Sequence, residues 1–249
     1  MIAITRDVSA SIAKCELTHI DRQRISFNKA REEHRQYRDL LRELGCTVVE
    51  LTADDAHPDC VFVEDTAVVL RDVAVMTRPG AESRRGELPP IEAELRRFRR
   101  TVAMSGPATL DGGDVLVTGE TIFVGLSQRT NAAGVQQLRV LSGMNVVSVP
   151  VTGALHLKTA VTRVSTDALL IDRTSVDASL FTGFRLIDID PAEPFAANAL
   201  LIGDTVVYPA SFPRTRERLE RAGINVRTVD AGELAKAEGG VTCCSLLVE

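Results

Sequence analysis

Two adjacent cysteines near the end of the sequence are the residues best suited to covalent chemistry. Cys243 and Cys244 follow the pair Gly239-Gly240 and precede a short apolar run, 246–248. The run predicts a buried strand that would hold a thiol still, while the glycine-rich loop before it leaves the thiol open to a substrate. The alternative is that both cysteines are small core residues, because free cysteine is often buried.

A histidine and an aspartate could activate such a thiol. The sequence has four histidines, and only His156 lies in an apolar stretch, 154–160. There it could transfer protons, or it could be a core histidine with a hydrogen-bond partner. Asp111, in Leu110-Asp111-Gly112-Gly113-Asp114, precedes an apolar strand pattern and could orient a histidine. Two aspartates around two glycines also suit a simple turn.

A group of acids forms the next candidate. Asp59, Glu64 and Asp65 lie among apolar residues typical of a strand. Neighbouring side chains of a strand point to opposite faces, and a carboxylate buried without a partner is costly. A cationic ligand would supply the partner. Acids exposed at the end of a strand are the alternative.

Two arginines could bind the opposite charge. Arg84 and Arg129 follow loops of small residues at equivalent points of a repeated hairpin pattern. A planar guanidinium in such a place suits a carboxylate. Thiol, imidazole, acids and arginines together describe a site for a zwitterionic substrate with a cationic far end. An amino acid that carries a guanidinium group fits this description best.

The elements that would position these residues repeat along the sequence. Pairs of apolar segments flank short polar turns, and each pair leads through a loop to a helical pattern. The pairs are 67–70 with 73–76, 115–117 with 121–124, and 200–202 with 205–208. A weaker fourth copy covers 168–171 and 184–187, and the N-terminal strand and helix could complete a fifth. Units of about fifty residues that close into a ring would place their loops around one cavity. An ordinary mixed α/β sheet is the alternative.

Composition narrows the function classes. The 249 residues are 45% hydrophobic and 25% charged, as in a globular protein. A net charge of −5 and an aromatic content of 4% without Trp argue against nucleic acid as a partner. No apolar run is long enough for a membrane span and no signal-like segment begins the sequence, so we expect a cytoplasmic protein. Five cysteines without paired spacing predict reduced thiols, with no metal site. The oligomeric state stays open, with a homodimer as one alternative.

Several segments resemble those of the dimethylarginine dimethylaminohydrolase family. They occur in the family's order between about residue 15 and residue 249. They are Asp59-x-x-Phe62-x-Glu64-Asp65, Thr77 to Arg85, Leu110 to Asp114, Gly125 to Asn131, Leu155-His156-Leu157-Lys158, Ala196-Ala197-Asn198 and Thr242-Cys243-Cys244-Ser245.

The resemblance implies a fold, a reaction and a set of roles. The fold is the pentein fold, a five-bladed α/β propeller of ββαβ units around a central active-site cavity, with residues 1–249 as one catalytic domain. The reaction is hydrolysis of asymmetric dimethylarginine or monomethylarginine to citrulline and a methylated amine, through a covalent cysteine thiouronium and without a cofactor. The catalytic residues are Cys243 as nucleophile, His156 as general acid and base, and Asp111 as its orienter. The substrate-binding residues are Asp59, Glu64 and Asp65 for the guanidinium, Phe62 in its pocket, Arg84 and Arg129 for the α-carboxylate, and the carbonyl of Leu17 for the α-amino group.

Other readings stay open within the same superfamily and outside it. Arginine deiminases and related guanidino-hydrolases use similar groups, and a propeller of this shape can also serve as a binding module without catalysis. The N-terminal loop from Cys15 to Ile25, which contains Leu17, departs from the family's pattern. Cys244 is a second thiol beside the expected nucleophile.

Overall fold

Fifteen strands form five separate three-stranded sheets in the computed structural model, which describes residues 1–249. The strands are β1 Ile2–Arg6, β2 Thr47–Leu51, β3 Ala67–Val69, β4 Val73–Met76, β5 Arg100–Ala103, β6 Val115–Thr118, β7 Thr121–Leu126, β8 Asn145–Pro150, β9 Val161–Arg163, β10 Ala168–Ile171, β11 Arg185–Asp188, β12 Leu200–Ile202, β13 Thr205–Pro209, β14 Asn225–Val229 and β15 Leu246–Val248. The helices are α1 Phe27–Glu43, α2 Leu88–Leu95, α3 Ala132–Ser142, α4 Leu157–Ala160, α5 Pro213–Arg221 and α6 Gly232–Ala235. None of the helices is long and apolar enough to cross a membrane.

Each sheet follows one plan, and we call the sheets blades 1 to 5. The first strand pairs antiparallel with the second, and the second pairs parallel with the third. A parallel neighbour needs a crossover, which α2, α3, α5 and α1 supply in blades 1, 2, 4 and 5. Blades 1 to 4 take β3–β5, β6–β8, β9–β11 and β12–β14, and blade 5 takes β15, β1 and β2. The C-terminal strand therefore completes the blade that begins at the N-terminus.

The hydrophobic core closes the blades into a ring. Five clusters of buried apolar residues exist, and each contains residues of two neighbouring blades. Val75 of blade 1 packs in one cluster with Ile122 of blade 2, for example, and Ile4 of blade 5 packs in another with Met76 of blade 1. The remaining clusters join blades 2 and 3, 3 and 4, and 4 and 5. The predicted five-bladed α/β propeller is confirmed.

Blade 3 departs from the predicted unit. Its first strand, β9, was not predicted, and a short 3₁₀ turn at Ala178–Leu180 stands where the other blades have an α-helix. The reason lies in local side-chain hydrogen bonds. Asp172 accepts from the backbone N–H of Thr174, and Asp177 accepts from that of Ser179. Such bonds stabilise turns in competition with a helix.

Candidate active site

The blades bring one polar segment each to the same region of the ring. In every blade this segment lies directly before the first strand of the sheet, and the five segments contact one another through the hydrogen bonds described below. They contain Glu64 and Asp65 before β3, Asp111 and Asp114 before β6, His156 and Lys158 before β9, Asn198 before β12, and Thr242 and Cys243 before β15. The repeat therefore converts five distant stretches of sequence into one cluster.

His156 is the centre of a buried ion cluster. Its Nε2 lies 3.0 Å from Oδ2 of Asp111, and its Nδ1 lies 3.9 Å from Oδ1 of Asp65. Both carboxylates are held in turn by the backbone, because Asp111 accepts from the N–H of Gly80 and Asp65 from that of Gly113. A β-carbon on Gly113 would lie 2.6 Å from the imidazole Nδ1, so this approach requires glycine.

These acids keep the imidazole charged. Burial by itself lowers the pKa of His156, but Asp65, the hydrogen bond to Asp111 and the charge of Asp114 outweigh burial and raise the pKa to about 9. The contact between His156 and Asp65 also shifts the pKa of Asp65. Burial favours the neutral form of Asp65, yet His156 and Arg84 lower its pKa to about 2. At neutral pH the site therefore holds an imidazolium that can donate a proton.

Asp114 fixes the backbone next to His156. Its Oδ1 accepts from the N–H of Leu157, the first residue of α4, and its Oδ2 accepts from the hydroxyls of Ser127 and Thr130. Burial raises the pKa of Asp114 to about 6 against the opposing effects of His156 and the two hydroxyls. A carboxylate that accepts the first N–H of a helix stabilises the helix start. Asp114 thus positions the residue that carries the imidazole.

The turn before β15 places the thiol of Cys243. The N–H of Gly240 donates to Cys243 Sγ at 3.3 Å, and the N–H of Glu64 donates to the carbonyl of Cys243 at 3.1 Å. Asn198 exchanges two hydrogen bonds with Thr242, at 2.9 and 3.1 Å, and the Thr242 hydroxyl donates to Glu64. The turn that carries the thiol is therefore tied to blades 1 and 4, and Glu64–Asp65 contacts both the Cys243 turn and His156.

The free thiol is held in its neutral form. Burial raises the pKa of Cys243 to about 12, and Glu64 and Asp65 add to the effect, whereas the Gly240 N–H and Lys158 oppose it. Cys244 is buried beside it with its Sγ 3.6 Å from the carbonyl of Gly240, and burial raises its pKa well above the usual value. Cys243 is the more exposed of the two thiols.

Carboxylates line the region around the thiol. Glu64 is paired with the Nζ of Lys158 at 2.5 Å, and burial raises its pKa in spite of this ion pair. Asp59 is buried, which raises its pKa, and it accepts from the backbone N–H of Glu16. Phe62 is buried under Gly239, where an added β-carbon would lie 2.1 Å from the ring. The site thus combines negative charge with one aromatic wall.

The two predicted arginines differ in their surroundings. Arg84 is buried, and each of its three nitrogens donates to the protein, to Glu87, Asp65 and the carbonyl of Phe62. The role of Arg84 in binding a substrate carboxylate stays a prediction. Arg129 is half-buried and donates to the hydroxyl of Thr18 at 2.9 Å.

Leu17 lies on the N-terminal loop, residues 15–26, next to the acids and to Arg129. Its side chain is half-buried against the core cluster that contains Phe62. Its neighbours Glu16 and Thr18 contact Asp59 and Arg129, respectively. The structure therefore brings the loop to the predicted substrate-binding residues, while the role of the Leu17 carbonyl stays a prediction.

Asp65, Asp111 and His156 also meet the spacing of a metal site. One ligand atom from each lies within 4.8 Å of the others. A metal needs a neutral imidazole, whereas the pKa of about 9 keeps His156 protonated at neutral pH. The His156–Asp111 hydrogen bond already engages the imidazole and one of the two carboxylates. The arrangement suits proton transfer better than metal binding.

Comparison with known proteins places this chain in a family. A sequence model described as "N,N dimethylarginine dimethylhydrolase, eukaryotic" matches residues 9–246. The chain belongs to the dimethylarginine dimethylaminohydrolase family. It is 43% identical over 250 residues to the N(G),N(G)-dimethylarginine dimethylaminohydrolase of Streptomyces coelicolor, with 98% of this chain and 95% of the relative covered. This result confirms the family resemblance noted in the sequence.

Solved structures agree with the family and with the fold. The dimethylarginine dimethylaminohydrolase of Pseudomonas aeruginosa, as a cysteine-to-serine variant in complex with citrulline, superimposes with a TM-score of 0.93 at 34% identity, covering 98% of this chain and 97% of that one. The N-terminal domain of a cyanobacterial arginine dihydrolase gives a TM-score of 0.90 at 20% identity, with 98% and 96% covered. The second likeness shows the fold alone.

Four further residues of the site lie in segments that resemble the family but had no predicted role. Asp114, Lys158, Asn198 and Thr242 hold the predicted residues in place through the bonds described above. The signal that could have found them is position. Each lies in the short polar stretch before the first strand of its repeat, as do Asp65, Asp111, His156 and Cys243.

Proposed function

We propose that the protein hydrolyses N-omega-methylated arginines to citrulline and dimethylamine or methylamine. The observation that supports the proposal is that Glu64 contacts the turn that carries Cys243, while its neighbour Asp65 pairs with His156. Cys243 is the nucleophile, His156 the general acid and base, and Asp111 the residue that orients His156. Membership of the dimethylarginine dimethylaminohydrolase family supports the choice of substrate.

Substrate binding uses opposite charges at the two ends of the molecule. The guanidinium would approach Asp59, Glu64 and Asp65 beside Phe62, and these acids offset the cost of removing the cation from water. Arg129, with Arg84, would bind the α-carboxylate, and the carbonyl of Leu17 would accept from the α-amino group. A small guanidino amino acid therefore fits the site.

Substrate binding also activates the thiol. A pKa of about 12 leaves on the order of one Cys243 in 10⁵ as thiolate at pH 7 in the free protein. His156 is already charged in this state, so its charge alone does not produce the thiolate. A bound guanidinium adds a positive charge beside Glu64 and Asp65, and a nearby cation lowers the pKa of a thiol. The thiol thus becomes nucleophilic when the substrate is present.

The chemistry proceeds in two halves that share one histidine. On substrate binding the Cys243 thiol loses its proton to solvent, and the thiolate attacks the guanidino carbon to form a tetrahedral adduct. His156 gives its proton to the departing dimethylamine, the C–N bond breaks, and a thiouronium remains on Cys243. The neutral His156 then takes a proton from water, which attacks the same carbon. The C–S bond breaks as the hydroxyl proton of the second adduct passes to the departing sulfur. Citrulline is released, Cys243 is again a thiol, and His156 is again protonated beside Asp111.

The proposed site also fits a cellular setting. A thiol nucleophile requires reducing conditions, so we propose that the protein acts in the cytoplasm.

The direct test is an assay of the products with two matched variants. The parent protein should form citrulline and dimethylamine from asymmetric dimethylarginine. Cys243→Ser should lower the rate by several orders of magnitude, because the serine hydroxyl is a far weaker nucleophile than a thiolate. Cys244→Ser changes the adjacent thiol and should retain most of the activity. If the protein converted arginine, with release of ammonia, but not asymmetric dimethylarginine, the proposed substrate would be wrong. Inactivity towards every guanidino compound would reject the proposal in favour of a binding module.

A further inference from the structure

Glu238 binds the N-terminal loop from the opposite end of the sequence. Its Oε2 accepts from the backbone N–H of Thr18 at 2.9 Å, and its Oε1 accepts from those of His19 and Ile20 at 2.5 and 3.0 Å. Three consecutive amides thus converge on one carboxylate. Hydrogen bonds to a charged acceptor are stronger than those between neutral groups. This carboxylate is therefore a substantial anchor for the exposed loop.

The backbone of Glu238 is strained where it supplies this carboxylate. Its φ is +58°, in the left-handed region that favours glycine. The position follows the end of α6, and the N–H of Gly239 donates to the carbonyl of Leu234 in the pattern that usually places glycine where Glu238 stands. A non-glycine residue in this conformation points to a functional reason for its side chain.

The anchored loop contacts the proposed substrate-binding residues. Arg129 donates to the hydroxyl of Thr18, and the N–H of Glu16 donates to Asp59. Leu17 lies between these two contacts. A movement of the loop would therefore displace Leu17 and remove partners from Arg129 and Asp59 together.

The residues after Glu238 lead directly to the thiol. Gly239 packs against the ring of Phe62, and the N–H of Gly240 donates to Cys243 Sγ. Three successive residues thus contact the loop, the aromatic wall and the nucleophile. The residue that binds the loop is therefore only two positions from the residue that contacts the thiol.

We propose that Glu238 is a positioning residue whose carboxylate holds the loop of residues 16–20 closed over the substrate site. The closed loop places Leu17 for the α-amino group of the substrate and keeps the nucleophile turn and the loop in one arrangement. We call this contact between Glu238 and the amides of residues 18–20 the latch. The latch exists in the free protein, whereas its effect on kinetics rests on the proposed function.

The test uses Glu238→Gly, which removes the carboxylate and relieves the strained backbone at the same time. In the free protein, hydrogen exchange at the amides of residues 18–20 should become faster by on the order of tenfold or more, because their acceptor is lost. The melting temperature should change little, because the relief of backbone strain offsets the loss of the three hydrogen bonds. Phe195→Gly is the matched control, because Phe195 is the other non-glycine residue with a positive φ, and it should leave the loop amides unchanged.

Kinetics and a conservative variant complete the test. KM for asymmetric dimethylarginine should rise several-fold in Glu238→Gly, with a smaller change in kcat, and Glu238→Gln should lie between that variant and the parent. Unchanged exchange at residues 18–20 in Glu238→Gly would overturn the proposal. Absence of turnover in the parent protein would reject the proposed function instead, while the exchange measurement would still decide on the latch.

Discussion

The charge on His156 predicts how the stability of the protein depends on pH. The pKa of His156 is raised from 6.5 to about 9 in the folded protein. At about 1.4 kcal/mol for each whole pKa step, the difference of about 2.5 corresponds to roughly 3 to 4 kcal/mol of stability. Because the folded pKa is the higher one, this contribution is complete below pH 6.5 and is lost as the pH rises through about 9.

The dependence of stability on pH in acid follows from the ion pair between His156 and Asp65. The pKa of Asp65 is lowered from 3.8 to about 2, so its contribution is complete above pH 3.8 and is lost as the pH falls through about 2. The two shifts share one interaction and are not added together. Between these limits the buried cluster stabilises the fold, which agrees with a site that works at neutral pH.

The assay is an NMR titration of labelled histidine, with urea unfolding as a second measurement. The four histidines are few enough to resolve, and His156→Gln identifies the signal of interest. His34 will not interfere, because burial lowers its pKa to about 3. The His156 signal should titrate near pH 9, and the parent should lose more unfolding free energy than His156→Gln between pH 6.5 and 9. A midpoint at or below 6.5 would refute the reasoning.

Two further predictions concern the geometry of the site. Gly113→Ala should reduce kcat by on the order of 100-fold, because the added β-carbon would lie 2.6 Å from the imidazole of His156 and must displace it. Gly232→Ala is the control, because its β-carbon meets nothing closer than 3.7 Å. An equal loss of kcat in both variants would contradict the explanation. Arg129→Gln should raise KM for asymmetric dimethylarginine by roughly tenfold to 100-fold, because a charge-assisted bond to the α-carboxylate is lost. For a substrate analogue that lacks the α-carboxylate, KM should be the same in Arg129→Gln and in the parent protein. An equal rise for both compounds would show that Arg129 does not bind the carboxylate.

The sequence predicts the repeated units because their hydrophobic patterns are local. Two apolar segments around a polar turn are visible in blades 1, 2 and 4. Blade 5 is harder to predict, because β15 pairs with β1 from the other end of the chain. β9 is short and follows α4 without a turn signal, so nothing in its own residues separates it from the helix.

The site was predictable in its chemistry and not in its contacts. Residue types and the family resemblance select Cys243, His156 and Asp111, and the structure joins the last two directly. The contacts of Arg84 with Asp65 and with the carbonyl of Phe62 could not be foreseen, because these residues lie 19 and 22 positions earlier and reach it only when the loop before α2 packs on blade 1. The same holds for contacts between residues far apart in sequence, which depend on ring closure rather than on local pattern.

The measurement that tests the central claim most directly is mass spectrometry of the protein quenched during turnover of asymmetric dimethylarginine. Attack by a Cys243 thiolate predicts an adduct on Cys243. Its added mass should equal that of neutral asymmetric dimethylarginine minus dimethylamine. A modified Cys244, or continued turnover with no adduct in the parent and in Cys243→Ser alike, would contradict the assignment of the nucleophile.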